Sequence, residues 1–202
     1  PKDSKYTSIS SSGVMEGRTE YTYVALEDRG RTIRTFAIYP SSDCFILNAE
    51  ARTDVDSELS LDKQLEAGTC RIKMEIRFLR PLKPGDEARV RVFYLIKDSI
   101  LSRPDEFLSK LPQTPNGPAS FQSVTSTARV PLFRNYMEIE YFGYRVKSFE
   151  LVRAIELDDI GFPKRYEGFR GSVSRKHEGG IIASFTPPVN SVTGVLYYME
   201  KP

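Results

Sequence analysis

Cys70-Arg71-Ile72-Lys73-Met74-Glu75-Ile76-Arg77-Phe78-Leu79 is the stretch of this chain that says most about its fold. Cys70, Ile72, Met74, Ile76 and Phe78 alternate with Arg71, Lys73, Glu75 and Arg77. Successive side chains of a strand point to opposite faces, so this period of two describes a β-strand with one face in a core and the other in water. Arg80-Pro81-Leu82-Lys83-Pro84-Gly85-Asp86 comes next. Its prolines withhold ladder donors and its Pro-Gly step turns the chain. From residue 88 to 96 the alternation resumes, with Val90, Val92 and Tyr94 set against Arg89 and Arg91. The expectation is a β-hairpin over 70–96.

The same signals recur on both sides of it. Residues 21–26 and 31–39 read as two strands joined through Glu27-Asp28-Arg29-Gly30, and 44–51 as a third. Leu61 and Leu65 are four apart, with Ser60 before and Gly68 after, which suggests a short helix within 54–68. Residues 98–120 hold Pro104, Pro112, Pro115, Pro118 and Asn116-Gly117; a short helix starting at Pro104 suits them, since proline fits a first helical turn. Strands are expected again at 121–132, 136–142, 144–157, 170–177, 181–185 and 192–199. Glu178-Gly179-Gly180 turns one of these pairs into a hairpin.

The string Leu82-Lys83-Pro84-Gly85-Asp86 resembles a turn found in many immunoglobulin-like sandwich domains. That resemblance covers five residues and bears on architecture alone, because sandwiches host unrelated activities. The expected fold is all-β, either a sandwich (immunoglobulin-like or jelly-roll) or a closed barrel of about ten strands, with one or two short helices. Residues 1–19 read as a flexible polar segment and 20–202 as one β-rich domain, with the Pro-rich stretch 98–120 as the one place where it would divide.

Composition agrees with this and narrows the function classes. With 202 residues the chain is long enough to bury a core without a metal or disulfide. It has 11 Tyr, 12 Phe and no Trp, an aromatic supply that favours strands. A net charge of +2 gives no general reason to expect nucleic acid or an anionic membrane as partner. No apolar run is long enough for a membrane helix, so membrane insertion is not expected. The cytoplasm is the default location, although a signal cleaved before Pro1 would leave no trace in these residues. Cys44 and Cys70 do not make a disulfide framework and read as two buried thiols, with a bridge between neighbouring strands as the alternative.

No motif for catalysis, cofactor or metal stands out. His177 is the only histidine, and a Ser-His-Asp or Cys-His site would have to use it. It lies in Ser174-Arg175-Lys176-His177-Glu178 and reads as a solvated hairpin residue. Glu138 with Glu140, and Asp158 with Asp159, are the paired carboxylates considered for acid–base work; surface alternation and a turn explain them as well. Asp54, Asp56 and Glu58 lie close enough in sequence for a hard cation, but an ordinary solvated loop has the same composition. Gly168-Phe169-Arg170-Gly171 and Glu178-Gly179-Gly180 lack phosphate-loop spacing.

A basic strip remains. Between Arg71 and Lys97 there are eight basic and three acidic residues. If the two strands paired, Arg71, Lys73 and Arg77 would share a face with Arg89 and Arg91. Like charges across a ladder are mildly destabilising unless acids on a neighbouring strand, such as Glu138 and Glu140, compensate them. Contact with an acidic protein surface or an anionic ligand would be the functional alternatives, and nucleic acid is not expected. The expectation is therefore a non-enzymatic interaction module using Arg71, Lys73, Arg77, Arg89 and Arg91, with a protein as its partner. Two alternatives stand beside it: a self-assembling, shell-type sandwich, and a small-molecule-binding barrel or enzyme with a pocket that leaves no linear motif.

Overall fold

The computed structural model describes residues 2–9, 13–25, 32–39, 44–66, 69–98, 103–126, 132, 134–159 and 161–201. Among them are fifteen strands and one helix: β1 (Lys2–Ile9), β2 (Val14–Val24), β3 (Thr32–Tyr39), β4 (Cys44–Thr53), β5 (Ser57–Glu66), β6 (Thr69–Phe78), β7 (Glu87–Asp98), α1 (Pro104–Lys110), β8 (Gln113–Thr114), β9 (Gly117–Ser126), β10 (Arg134–Tyr141), β11 (Arg145–Leu157), β12 (Pro163–Gly168), β13 (Ser172–His177), β14 (Gly180–Phe185) and β15 (Ser191–Glu200). They form a seven-stranded sheet in the order β13-β14-β10-β1-β2-β7-β4, a five-stranded sheet β12-β11-β15-β9-β8 and a three-stranded sheet β3-β6-β5. The pairings are antiparallel apart from β1 with β10. The fold is all-β and sandwich-like, and the sheets do not close into a barrel.

The core lies between the seven- and five-stranded sheets. Val90, Val92, Tyr94 and Ile96 of β7 are buried, as are Met137, Ile139 and Tyr141 of β10, in each case at every second position. From the other side come Val124, Val146, Leu151, Val195, Tyr197 and Met199, all in the same apolar cluster. On β7 period two thus does what it implies: one face is removed from water and the other is left for charge. By contrast β15 is buried on both faces, with Leu196 and Tyr198 in a second apolar cluster with Ala119 and Val152. Helix α1 has proline in its first turn and carries Phe107 and Leu108 into that cluster. Gly17 lies directly opposite Tyr94, and the ring occupies the space that a side chain at 17 would need.

Several expectations are corrected. The hairpin over 70–96 does not form: β6 pairs with β3 and β5, whereas β7 pairs with β2 and β4. The tight turn itself is real. Asp86 N–H donates to Lys83 O, Lys83 N–H donates to the Asp86 carboxylate, and Gly85 has φ +88. Its position explains the difference. The turn abuts β7, while Leu79–Leu82 separate it from β6, and Leu82 is drawn into the core. Backbone bonds from Gly85 N–H to Ala25 O, from Ala25 N–H to Asp86 O and from Leu79 N–H to Asp56 O fasten this connection to other strands. The turn hands the chain from one sheet to another.

Likewise β2 and β3 belong to different sheets, so the hairpin expected through 27–30 is absent; residues 26–31 lie outside the described ones. The helix expected within 54–68 is strand β5. Residues 2–9 and 14–19, expected to lie in a flexible polar segment over 1–19, belong to strands β1 and β2 of the seven-stranded sheet, and β2 runs on to Val24 through part of the strand expected at 21–26. The stretch 98–120 contains α1, as expected, followed by the β8–β9 turn with Gly117 at φ +111.

Candidate interaction surface

The five basic residues singled out in the sequence fall on two sheets. Arg71, Lys73 and Arg77 lie on β6; Arg89 and Arg91 lie on β7. On β6 the register sets Lys73 opposite Asp62 and Arg77 opposite Glu58 of β5. On β7 both arginines are exposed and share one acid from β2: Glu20 Oε2 is 2.7 Å from Arg91 Nε, and Glu20 Oε1 is 3.7 Å from Arg89 Nε. An acid on a neighbouring strand does compensate them, but it is Glu20, and Glu138 and Glu140 are engaged elsewhere.

The outward face of β2, β7 and β4 is a mixed one. Arg18 pairs with Glu16 at 2.5 Å and stands over the Phe93 ring at 5.9 Å. Glu50 lies opposite Phe93 on the other side, and Arg52 lies opposite Arg91. Glu50 Oε2 is 3.3 Å from Arg52 Nη2. One row across the sheet therefore runs Glu20–Arg91–Arg52, and the next runs Arg18–Phe93–Glu50. The first ends on two adjacent cations at the margin of the sheet. Exposed pairs of this kind are worth only about 0.2–1 kcal/mol each. The face is nearly balanced in charge, not a basic patch.

The margin is the more distinctive feature. β13 and β4 are the two edges of the seven-stranded sheet. β13 is six residues long and carries Arg175 and Lys176, the kind of charged, short edge that resists further pairing. β4 is ten residues long and leaves Phe45 65% and Leu47 51% exposed. A register shift between Ile46 and Asn48 bends its first half. Asp54 N–H donates to Arg89 O, so by alternation Arg52 and Glu50 turn their backbone groups to β7, while Thr53, Ala51 and Ala49 turn theirs to the edge that no described strand pairs. The side chains of Cys44 and Cys70, like those of Arg71 and Lys73, lie outside the described ones.

The other candidates have structural occupations. Glu138 and Glu140 of β10 both bond Lys176 Nζ of β13, Glu140 at 2.6 Å, and His177 Nε2 lies 3.2 Å from Glu140 Oε1. The two carboxylates hold the Lys176 ammonium well above the usual lysine range. Gly179 N–H donates to His177 Nδ1 at 3.3 Å, which leaves Nε2 to carry the proton toward Glu140. The imidazole stacks on Phe142 and covers Gly180, where an added Cβ would come within 2.5 Å of Nε2. Both ring nitrogens are thus committed. Sequence reasoning named His177 and the Glu138–Glu140 pair separately; only the β10–β14–β13 register brings them together.

Asp158 accepts Phe162 N–H on its carboxylate at 2.7 Å and closes the turn before Pro163, while Asp54 accepts Arg89 N–H at 2.7 Å and fastens the bend between β4 and β5. No group of three or more metal-ligating side chains is assembled among the described residues. Nor does any helix of the described residues have the length and apolarity to cross a membrane.

No family model matches this chain. No curated protein matches it either. Among solved structures, a candidate protease from Parabacteroides distasonis aligns over 97% of this chain with 10% identity and a TM-score of 0.45. An M1 zinc metallopeptidase from Deinococcus radiodurans aligns over 96% with 12% identity and a TM-score of 0.37. This chain spans 39% and 41% of the length of those two proteins. The likeness is too slight to carry their fold or chemistry over.

Proposed function

We propose that this chain is a non-enzymatic interaction module that receives an extended protein segment as an eighth strand on β4. The observation that carries the reading is the exposure of Phe45 and Leu47 on a long strand whose second edge no described strand pairs. Main-chain groups along an open edge supply affinity, and alternate side chains supply selectivity. Aromatic and arginine side chains, the residue types that dominate binding hot spots, lie beside it at Phe45, Phe93, Arg52 and Arg91. Against an enzyme, the single imidazole has both nitrogens occupied.

The test is selection of ten-residue peptides from a random display library on the immobilised chain, followed by backbone amide NMR with the enriched peptides. Shift changes concentrated at β4 are expected, together with loss of binding in a Phe45→Asp, Leu47→Asp double variant that keeps its native melting curve. No enrichment by a chain that stays monomeric, or shifts centred on another part of the molecule, would overturn the reading.

A further inference from the structure

We infer that β4 pairs with the β4 of a second copy of this chain, antiparallel about a two-fold axis at Ala51. The inference rests on the open-edge reading above and names the partner. The sequence around the axis is self-complementary: Glu50-Ala51-Arg52 read antiparallel to itself sets Glu50 opposite Arg52 of the second copy, and Arg52 opposite its Glu50. Both side chains are exposed and lie on the outward face. The row Glu20–Arg91–Arg52, which ends on two cations within one copy, would continue into an acid. The row Arg18–Phe93–Glu50 would continue into a base. The two-fold axis makes the second gain the repeat of the first, as an isologous interface requires.

The backbone suits the same register. Ala49, Ala51 and Thr53 present their N–H and C=O groups to the open edge, so Ala51 would exchange two hydrogen bonds with its own counterpart, and Thr53 two with Ala49. A foreign peptide would need an acid and a base two residues apart to satisfy the same rows; the chain already carries that pattern on the strand itself.

Sedimentation velocity across a wide concentration range tests this through charge reversal. The unmodified chain should dimerise. Glu50→Arg and Arg52→Glu should each weaken the dimer by about tenfold or more, since each creates two like-charge contacts. The double variant E50R/R52E restores complementarity and should restore the dimer. Equimolar E50R and R52E should form a mixed dimer, because both contacts between them are of opposite sign. Independently, Ala51→Cys, in a background with Cys44→Ser and Cys70→Ser, should cross-link to itself under mild oxidation. Paired residues at about 5.5 Å between Cα atoms lie within disulfide range.

A monomer at every concentration, a dimer indifferent to the single reversals, or a folded double variant that stays monomeric would overturn the self-pairing. If the chain is monomeric yet selected peptides still map to β4, the second copy is the wrong partner and the module reading survives. With neither dimer nor peptide binding, both fall.

Discussion

Raising the pH should unfold this protein steeply, and the reason lies in three tyrosines of its core. Tyr141 and Tyr197 are buried with their hydroxyls 2.5 Å apart, and Tyr144 and Phe107 pack around Tyr141. Burial, and for Tyr141 also its bond to Tyr197, pushes both hydroxyls above the ordinary tyrosine range; burial alone takes Tyr144 up to about 12. In the unfolded chain each titrates near 10. A group whose pKa is raised on folding contributes stability that is complete below its unfolded value and is lost as pH climbs toward its folded one. Each pH unit in that window removes about 1.4 kcal/mol per tyrosine. At about pH 11 Tyr144 alone withdraws roughly 1.4 kcal/mol from the ordinary 5–15 kcal/mol of a folded domain, and the raised Tyr141 and Tyr197 add to that loss. Lys176, held above its usual range by Glu138 and Glu140, acts in the same direction. Urea midpoints at pH 9, 10 and about 11, read at constant m, give the loss directly. The Tyr141→Phe, Tyr197→Phe variant should lose correspondingly less. Equal stability at pH 9 and 11, or a variant that falls as steeply as the unmodified chain, would refute the reasoning.

The remaining predictions concern single positions. A Cβ on Gly194 would collide with the backbone oxygen of Gln122 and come within 2.7 Å of Ser123 Cα, so Gly194→Ala should cost about 2 kcal/mol or more in urea denaturation; a neutral result would mean that β9 yields freely. Asn135 is fully buried at a core-facing position with neither amide atom hydrogen-bonded among the described residues, so Asn135→Leu should raise the midpoint by the equivalent of about 1–3 kcal/mol, and a lower midpoint would show that its amide is satisfied in solution. Tyr141 N–H and Val146 N–H donate to Gly179 O and Glu178 O, joining the β13–β14 turn to the β10–β11 connection. Gly180→Ala, which displaces the His177 ring, should speed amide exchange at residues 141 and 146 several-fold, and unchanged protection there would remove His177 from that anchorage.

Where one strand's own alternation settled the matter, the sequence was sufficient. Val90, Val92 and Tyr94 face the core and Arg89 and Arg91 face water, as their period demands. The β13–β14 hairpin was legible because Glu178-Gly179-Gly180 sits between strands whose pairing is decided by the turn alone. The helix expected within 54–68 failed for a definite reason: Leu61 and Leu65 are four apart, and four residues return to the same face of a strand as well as of a helix. Leu59 and the alternation with Glu58, Ser60, Asp62 and Gln64 supported β5 from the start. The hairpin over 70–96 failed for another. Turn chemistry at Lys83–Asp86 fixes that the chain reverses, but which strands then pair depends on where apolar faces are buried. The inner face of β7 needed β2 and β4 on either side, and Gly17 accommodates the Tyr94 ring from 77 residues away in sequence.

The same logic explains why the candidate surface could not be located from the sequence. Arg91 appeared there as one member of a basic run with Arg71, Lys73 and Arg77, its neighbours in sequence. In the fold its neighbours are Glu20 and Arg52, brought in by strands β2 and β4, and its former companions lie on another sheet. Local charge excess is therefore a poor guide to a sheet surface, because each residue's electrostatic partners lie across strands and not along them. Glu50-Ala51-Arg52 shows the converse. As a sequence it is an ordinary alternation of charge about an alanine, and in a central strand its partners would be fixed by the neighbours on both sides. It acquires meaning at an edge, where one side is open and a short acid–x–base pattern can specify its own complement. The topology that places β4 last in its sheet turns those three residues from surface decoration into a register.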